Sequence, residues 1–265
     1  MKNLSLFIFL LSAICTFSNK AVGQIKKESI KTVSKQDKIL IDEILDSIDK
    51  LYRSKTSHTN FEMKIENENW ERTLKVEMWT KGLDKTLLKI NSPKKDAGIS
   101  TLRVDNNMWN YFPKINKTIK VPPSMMMGSW MGSDFTNDDL VKESTFKNDY
   151  LAEFKPYENA NKYLVVLTPM ENTASVWGRV ELIIDKKTKI IEKQFSYSER
   201  GDLSRTTEFT NVRSISGKTI PTEMILSSHA KNKSKTTVKY IDAEFDKPIK
   251  DSFFSKRNLI KNSKI

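Results

Sequence analysis

One segment near the start of the chain has the hydrophobic spacing of an amphipathic helix. Between Asp37 and Leu51 apolar residues recur every three or four positions, and charged residues occupy the other side. This spacing places a single apolar stripe along a helix. The stripe consists of Ile41, Ile44, Leu45, Ile48 and Leu51. The pattern predicts one helix that packs through this stripe against another element.

From Thr59 onward the hydrophobic period changes to two, which is the period of a β-strand. Turn signals such as Gly, Pro and Asn separate the alternating runs. The predicted strands lie near residues 71–82, 85–91, 99–104, 107–112, 117–121, 163–168, 177–185, 189–198, 204–214, 220–230 and 235–245. So many short strands with almost no long helix predict an antiparallel sheet that curls toward a barrel.

Strict alternation gives these strands one apolar face and one wet face. Val180, Leu182 and Ile184 share a face, for example, while Arg179 and Glu181 point the other way. An apolar sheet face has to be covered. The 37–51 helix, a methionine-rich segment and a ligand are the candidates for that cover. Because the chain offers so little helix, we expect an incompletely filled concave face that forms an apolar pocket.

The methionine-rich segment, PPSMMMGSWMGSDFTNDDL, runs from Pro122 to Leu140 between predicted strands. Thioether side chains are flexible and polarizable, so a cluster of them can adapt to an irregular apolar ligand. Methionine is also a common gap-filler, and the same residues can simply plug one end of a β-core. The apolar residues of the segment are Met125, Met126, Met127, Trp130, Met131 and Phe135. Gly128 and Gly132 stand between them.

The first residues have the pattern of a secretory signal peptide. Lys2 precedes an apolar run from Leu4 to Phe17, and small residues lead up to Gln24. We therefore expect residues 1–23 to be removed and residues 24–265 to form a single domain. The only cysteine, Cys15, follows Ile14, whereas lipid attachment requires a small residue there, so we expect no lipid anchor. The mature chain would then contain no disulfide and no zinc-thiolate site.

The composition is basic, with 45 Lys and Arg residues against 33 Asp and Glu and a net charge of +12. Loss of Lys2 and Lys20 with the signal peptide lowers the net charge to +10. The lysines are scattered along the strands and are not interleaved with aromatic residues, so we expect no nucleic-acid partner. A solvated basic surface and attraction to anionic headgroups or to an acidic partner both remain open.

The sequence contains no constellation that indicates catalysis. His58 and His229 have no partner at metal-ligand spacing, and the chain has neither a nucleophile elbow nor a phosphate-binding glycine loop. Asp134, Asp138 and Asp139 lack the glycine and terminal glutamate of a calcium loop, and helix capping explains such residues better. We expect no enzymatic activity, no metal and no cofactor.

An ordered set of motifs resembles the outer-membrane lipoprotein-sorting protein family, in a LolA-like branch distinct from the proteobacterial carrier. A Trp-x-Tyr-x-Pro strand at Trp109, Tyr111 and Pro113 follows the Pro93 and Gly98 segment. A Gly-Ser-x-Phe-x-x-x-Asp-Leu motif then runs over residues 132–140. The resemblance continues to the Phe253-Phe254 region and covers nearly all of the mature chain.

The resemblance implies one highly curved antiparallel sheet, an unclosed half-barrel of about 11 strands, with a few helices and a lid loop over its apolar concave face. It also implies a monomeric periplasmic carrier of a Gram-negative cell. Such a carrier takes the acyl chains of a lipoprotein, or another lipid, from an inner-membrane exporter to an outer-membrane acceptor. A lipid-sensing or scaffolding partner of a membrane transporter is the main alternative, and an enzyme on the same scaffold is a second one.

We expect the acyl chains to contact the apolar residues of the methionine-rich segment, with Gly128 and Gly132 as hinges of the lid. Trp79, Trp109 and Tyr111 are further candidates because they lie on strands that border this segment. Ordinary core packing is the competing role for these three aromatic residues.

Overall fold

A computed structural model of the protein describes residues 34–126, 128–137, 139, 145–171, 173, 175, 177–229 and 234–261. The predicted signal peptide with Cys15 lies outside these residues, as do Met127 and Asp138. Among the described residues, no helix has the length and apolar character that a membrane span requires.

Thirteen strands and three α-helices make up the described part of the chain. The helices are α1 (Lys35–Asp49), α2 (Phe146–Asp149) and α3 (Lys256–Lys261). The first six strands are β1 (Thr56–Glu66), β2 (Glu71–Lys81), β3 (Lys85–Ser92), β4 (Ser100–Val104), β5 (Asn107–Phe112) and β6 (Lys117–Lys120). The other seven are β7 (Tyr150–Lys155), β8 (Lys162–Pro169), β9 (Arg179–Asp185), β10 (Ile191–Tyr197), β11 (Leu203–Ile215), β12 (Lys218–Ser228) and β13 (Lys235–Phe245).

All thirteen strands belong to one antiparallel sheet in the order β6-β5-β4-β3-β2-β1-β13-β12-β11-β10-β9-β8-β7. The chain runs outward from the middle to β6, enters again at the opposite edge with β7, and returns until β13 pairs with β1. Because β6 and β7 do not pair with each other, the sheet stays open, as expected for a half-barrel. Irregular register, for example at Asn60/Phe61 and Lys75/Val76, adds local bends to the sheet.

Helix α1 begins at an N-cap, since the Ser34 hydroxyl accepts a hydrogen bond of 3.0 Å from the Asp37 amide. Its stripe of Ile41, Ile44 and Leu45 packs on β7–β10, as the helical spacing predicted. Val180 and Leu182 lie in the same buried cluster. The helix therefore covers one half of the apolar sheet face, and we call this face the concave face.

The other half of the concave face lies under the described residues of the segment 122–139, which we call the lid. Residues of β1, β2, β3, β5 and β13 form a second buried cluster there, and Trp130 of the lid is its largest side chain, with 1 % of its surface exposed. The cover of the concave face is thus divided between α1 and the lid. Both had been candidates for that role from the sequence.

Candidate functional site

The lid is a tight hairpin whose tip turns back toward the sheet. Ser129 and Thr136 form an isolated antiparallel bridge, and the Trp130 amide donates to the Phe135 carbonyl at 2.7 Å. Met131 and Gly132 take positive φ values of 52° and 78° at the tip. Glycine adopts such values without strain, which explains the residue type at position 132. This geometry directs the Trp130 side chain into the core.

Two contacts hold the lid tip against β2 and β4. The Trp130 Nε1–H donates to the Thr101 hydroxyl at 3.2 Å, so the one polar atom of this buried ring has a partner. The Arg72 guanidinium donates to the Met131 carbonyl. Asn137 closes the base of the hairpin by donating from Nδ2 to the Met125 and Gly128 carbonyls at 3.0 and 3.1 Å.

On its other side the lid is tied to β11 and β13 by two carboxylates. Asp134 accepts hydrogen bonds from the hydroxyls of Ser234 and Thr236, and its own amide donates to the Thr236 hydroxyl at 2.9 Å. Asp139 forms a two-point ion pair with Arg205, at 2.6 Å from Nη1 and 3.0 Å from Nη2. Asp134 and Asp139 of the 132–140 motif therefore anchor the lid to the sheet.

Burial on its own would raise the pKa of Asp139. The Arg205 guanidinium and hydrogen bonds from Thr136 outweigh that cost and hold the pKa below its usual value. Burial likewise acts to lower the pKa of Arg205, but Asp139 raises it above its ordinary value. The pair therefore stays ionised at physiological pH. With only 8 % and 18 % of the two side chains exposed, it is shielded from water.

An apolar cavity of about 300 Å³ lies on the concave face between α1 and the lid. Its floor comes from the inward-facing side chains of β10–β13, its walls from the end of α1 and from Trp177, and its roof from Phe135 of the lid. The apolar and aromatic lining consists of Ile48, Leu51, Tyr52, Met78, Phe135, Phe146, Trp177, Ile191, Phe209, Met224, Leu226 and Tyr240. This volume is at the lower end of the range of about 300–1,000 Å³ for small-molecule sites.

Two tyrosines form a stacked pair in the cavity wall. The Tyr52 and Tyr240 ring centroids are 4.8 Å apart and the rings are parallel within 1°. The Tyr52 hydroxyl donates to the Pro221 carbonyl at 3.0 Å. Burial raises the pKa of both phenols above the usual value. Both rings therefore remain uncharged, and the cavity keeps its apolar character.

Two acidic side chains line the cavity: Asp139, which is paired with Arg205, and Asp49 at the end of α1. The Asp49 carboxylate accepts from the backbone amide of Phe146 at 3.1 Å, which links α1 to α2. Burial raises the pKa of Asp49 to about 6, and the hydrogen bonds from the Phe146 and Lys147 amides offset only part of that rise.

The structure distributes the predicted lid residues over several environments. Phe135 lines the cavity, whereas Trp130 fills the core beneath the lid. Met126 and Met131 are half-buried against that same cluster, and 59 % of Met125 is exposed. Gly128 and Gly132 sit at the base and at the tip of the lid hairpin, and their role as hinges stays a prediction.

The aromatic strand residues lie on the face of the sheet opposite the cavity. Trp79, Trp109 and Tyr111 belong to a cluster formed with Phe254 and Leu259, where α3 covers β3–β5. Trp79 stacks on His58 at 5.0 Å and contacts Phe253 edge-on. The structure does not bring these three residues to the cavity, and core packing accounts for them.

Several cavity residues were missed by the sequence analysis. Arg205, Thr207 and Phe209 follow one another at period two along β11, and Met224 and Leu226 do so on β12. Their alternation was visible, but it did not indicate which face is concave. The clearest signal of the site in the sequence was Arg205, because it shares a strand face with the apolar Phe209 and a buried charge needs a partner.

The described residues show no group of three or more His, Cys, Asp or Glu side chains arranged to hold a metal ion. The His58 Nε2–H donates to the Glu77 carboxylate at 2.8 Å, and His229 Nε2 shares a hydrogen bond of 2.8 Å with the Thr206 hydroxyl. Both histidines thus have local partners on strand surfaces.

Comparison with solved structures identifies the fold. A DUF1329 family protein from Desulfovibrio piger is 19 % identical, with a TM-score of 0.73 over 82 % of this chain and 97 % of that one. An outer membrane lipoprotein-sorting protein domain from Vibrio parahaemolyticus is 19 % identical, with a TM-score of 0.70 over 83 % and 97 %. A LolA superfamily protein from Nitrosomonas europaea is 19 % identical, with a TM-score of 0.68 over 82 % and 97 %.

Comparison of the sequence gives the family. None of the curated proteins compared with it shows significant similarity. A family model described as an uncharacterized protein matches residues 82–261, which is more than half of the chain. The matched region extends from the β2–β3 turn through the lid and the cavity strands to α3. The chain therefore belongs to this uncharacterized protein family, and it has the fold of the LolA-like lipoprotein-sorting proteins.

Proposed function

We propose that the protein is a periplasmic carrier that holds acyl chains of a lipoprotein, or of another lipid, in the apolar cavity under the lid. The observation that carries this proposal is the cavity itself, which lies between two separately packed halves of the concave face. Its apolar lining favours hydrocarbon, and the lid provides a removable roof. The LolA-like fold agrees with this use of the cavity, although fold alone does not fix function.

The size of the cavity indicates how it would be used. If each methylene occupies about the volume of a water molecule, roughly 30 Å³, a cavity of about 300 Å³ takes about ten methylenes. Burial of that many methylenes is favourable by roughly 8 kcal/mol before ordering costs. The closed structure thus accommodates part of one long chain. A complete cargo would require the lid to move and expose the Trp130 cluster.

In this proposal an inner-membrane exporter loads the carrier and an outer-membrane acceptor unloads it. Release requires an empty state of adequate stability, and the buried lid provides one because Trp130 and the half-buried methionines pack on the core without cargo. Flexible methionines suit both the packed state and the loaded state. Ligand binding then shifts the population toward the open lid.

A cavity-filling substitution tests the proposal. In Met224→Trp, the larger ring occupies space that the acyl chain needs. Ile241→Trp on the neighbouring strand is the matched control, because 60 % of Ile241 is exposed. We expect Met224→Trp to weaken binding of a dansyl-labelled fatty acid by about tenfold or more, equal to about 1.4 kcal/mol. The control should bind like the unsubstituted protein.

Far-UV circular dichroism and urea unfolding would establish that both variants fold. Unchanged fatty-acid affinity of a folded Met224→Trp variant would contradict the cavity assignment. Transfer of a labelled lipid from donor to acceptor vesicles distinguishes a carrier from the alternative, a lipid-sensing protein. Binding without accelerated transfer would favour the sensing role.

A further inference from the structure

A second chamber, of about 600 Å³, adjoins the apolar cavity. It lies where the β1–β2 turn, Ser228 at the end of β12 and Ser234 just before β13 meet the lid tip. Phe135, Trp177 and Arg205 line both spaces. These three side chains therefore form a shared wall, and movement of the Phe135 ring would join the two volumes. We call the second space the polar chamber.

The lining of the polar chamber differs in chemistry from that of the cavity. Hydroxyl and amide side chains dominate it, whereas apolar and aromatic side chains make up most of the cavity lining on the other side of Phe135. The polar lining comprises Asn67, Asn69, Ser129, Ser133, Thr136, Ser204, Ser228 and Ser234. Trp70 adds a broad aromatic surface, with 43 % of the residue exposed and Arg72 at 5.5 Å from its ring centroid. Such a lining offers neutral hydrogen bonds and a flat stacking surface.

The charges in the described lining are largely committed to the lid anchors. The Asp134 carboxylate is held by the hydroxyls of Ser234 and Thr236, and the Arg205 guanidinium is paired with Asp139. Glu68 is the remaining charged residue among the described lining residues. An anionic headgroup would therefore find no available counter-charge in this described lining. It would also lose hydration on entering, which is costly for a charge.

We infer that the two spaces form one site for an amphiphile, with the acyl chain in the apolar cavity and an uncharged, hydroxyl-rich headgroup in the polar chamber. This inference rests on the proposed acyl-chain binding and adds the chemical class of the headgroup. The headgroup stacks on Trp70 and exchanges hydrogen bonds with the surrounding hydroxyls and amides. The chain passes the shared wall where Phe135 stands.

Three detergents with the same twelve-carbon chain test the headgroup separately from the chain. Dodecyl maltoside has a neutral sugar headgroup, dodecyl phosphate an anionic one and dodecyltrimethylammonium a cationic one. The affinity of each for the mature protein, from Gln24 onward, would be measured by calorimetry below its critical micelle concentration. We expect the maltoside to bind about tenfold tighter than the other two, the equivalent of one or two neutral hydrogen bonds.

A matched pair of tryptophan variants then locates the headgroup. Trp70→Ala should weaken maltoside binding by about tenfold and leave the affinity for dodecyl phosphate unchanged. Trp109→Ala, on the opposite face of the sheet, should preserve the preference for the maltoside. The inference is overturned if the phosphate or the trimethylammonium detergent binds as tightly as the maltoside, or if Trp70→Ala weakens all three detergents equally. Failure of every detergent to bind would overturn the acyl-chain proposal as well, whereas equal binding of all three would overturn the headgroup assignment alone.

Discussion

The ion pair between Asp139 and Arg205 gives the sharpest prediction about the lid. Asp139→Asn leaves the guanidinium in place without its counter-charge, and Arg205→Met does the same to the carboxylate. The asparagine oxygen can still accept from the Thr136 amide, which donates to Asp139 at 2.7 Å in the structure. The two substitutions and their combination therefore form a double-mutant cycle that isolates the ion pair.

The expected loss of folding stability follows from the low exposure of the two side chains, 8 % for Arg205 and 18 % for Asp139. Loss of one partner of a buried pair costs about 3–5 kcal/mol, because a charge is left in a poorly hydrated site. In the double variant no unpaired charge remains. We therefore expect its cost to fall below the sum of the single costs by about 2–3 kcal/mol.

Urea unfolding followed by far-UV circular dichroism measures these costs without relying on Trp177, whose ring is stacked by Arg205 at 4.8 Å. Hydrogen exchange should show faster exchange at the lid amides in each single variant, since the lid loses its anchor to β11. The reasoning would be refuted if each single variant lost less than about 1 kcal/mol of unfolding free energy and the double variant lost the sum of the two. The pair would then behave like an exposed one and would not hold the lid.

Two further predictions concern the edge of the cavity and the core under the lid. Because the folded-state pKa of Asp49 is raised from 3.8 to about 6, its ionisation lowers stability as the pH rises from about 4 to about 6. The free energy of unfolding of Asp49→Asn, measured in urea, should therefore rise relative to that of the unsubstituted protein by roughly 2 kcal/mol between pH 4 and pH 7.5. A difference between the two proteins that does not change with pH would contradict the raised pKa. Trp130→Ala should cost about 3–5 kcal/mol because the ring is buried, whereas the exposed Met125→Ala should cost less than about 0.5 kcal/mol. Similar costs for the two variants would show that the lid does not form part of the core.

Alternation and helical spacing predicted most of the architecture because each depends on one local pattern. The stripe from Ile41 to Leu51 located α1 to within two residues at each end. The β-strands were predicted one by one, except that β1 was recognised only as the start of the alternating region near Thr59 and that β7 was not predicted. Its apolar positions Tyr150, Ala152 and Phe154 also alternate, but Leu151 interrupts the polar face and 64 % of it is exposed.

The site was harder to predict because a period of two separates the faces of a strand without identifying the concave one. Strands β2, β3 and β5 carry apolar residues on both faces, since one face packs under the lid and the other belongs to the cluster with α3. Trp79 and Trp109 consequently resembled cavity residues in the sequence. The partners of Asp134 and Asp139 lie about 70 to 100 residues away in the chain, and such pairs carry no local signal.

Native and denaturing mass spectrometry of the protein, purified from an extract of the periplasm, its proposed location, tests the central claim most directly. The account predicts an acylated molecule bound in stoichiometric amount, whose mass identifies its class. A protein that emerges empty and that also fails to bind added lipids would contradict the account. The methionine-rich lid would then serve only to close the core.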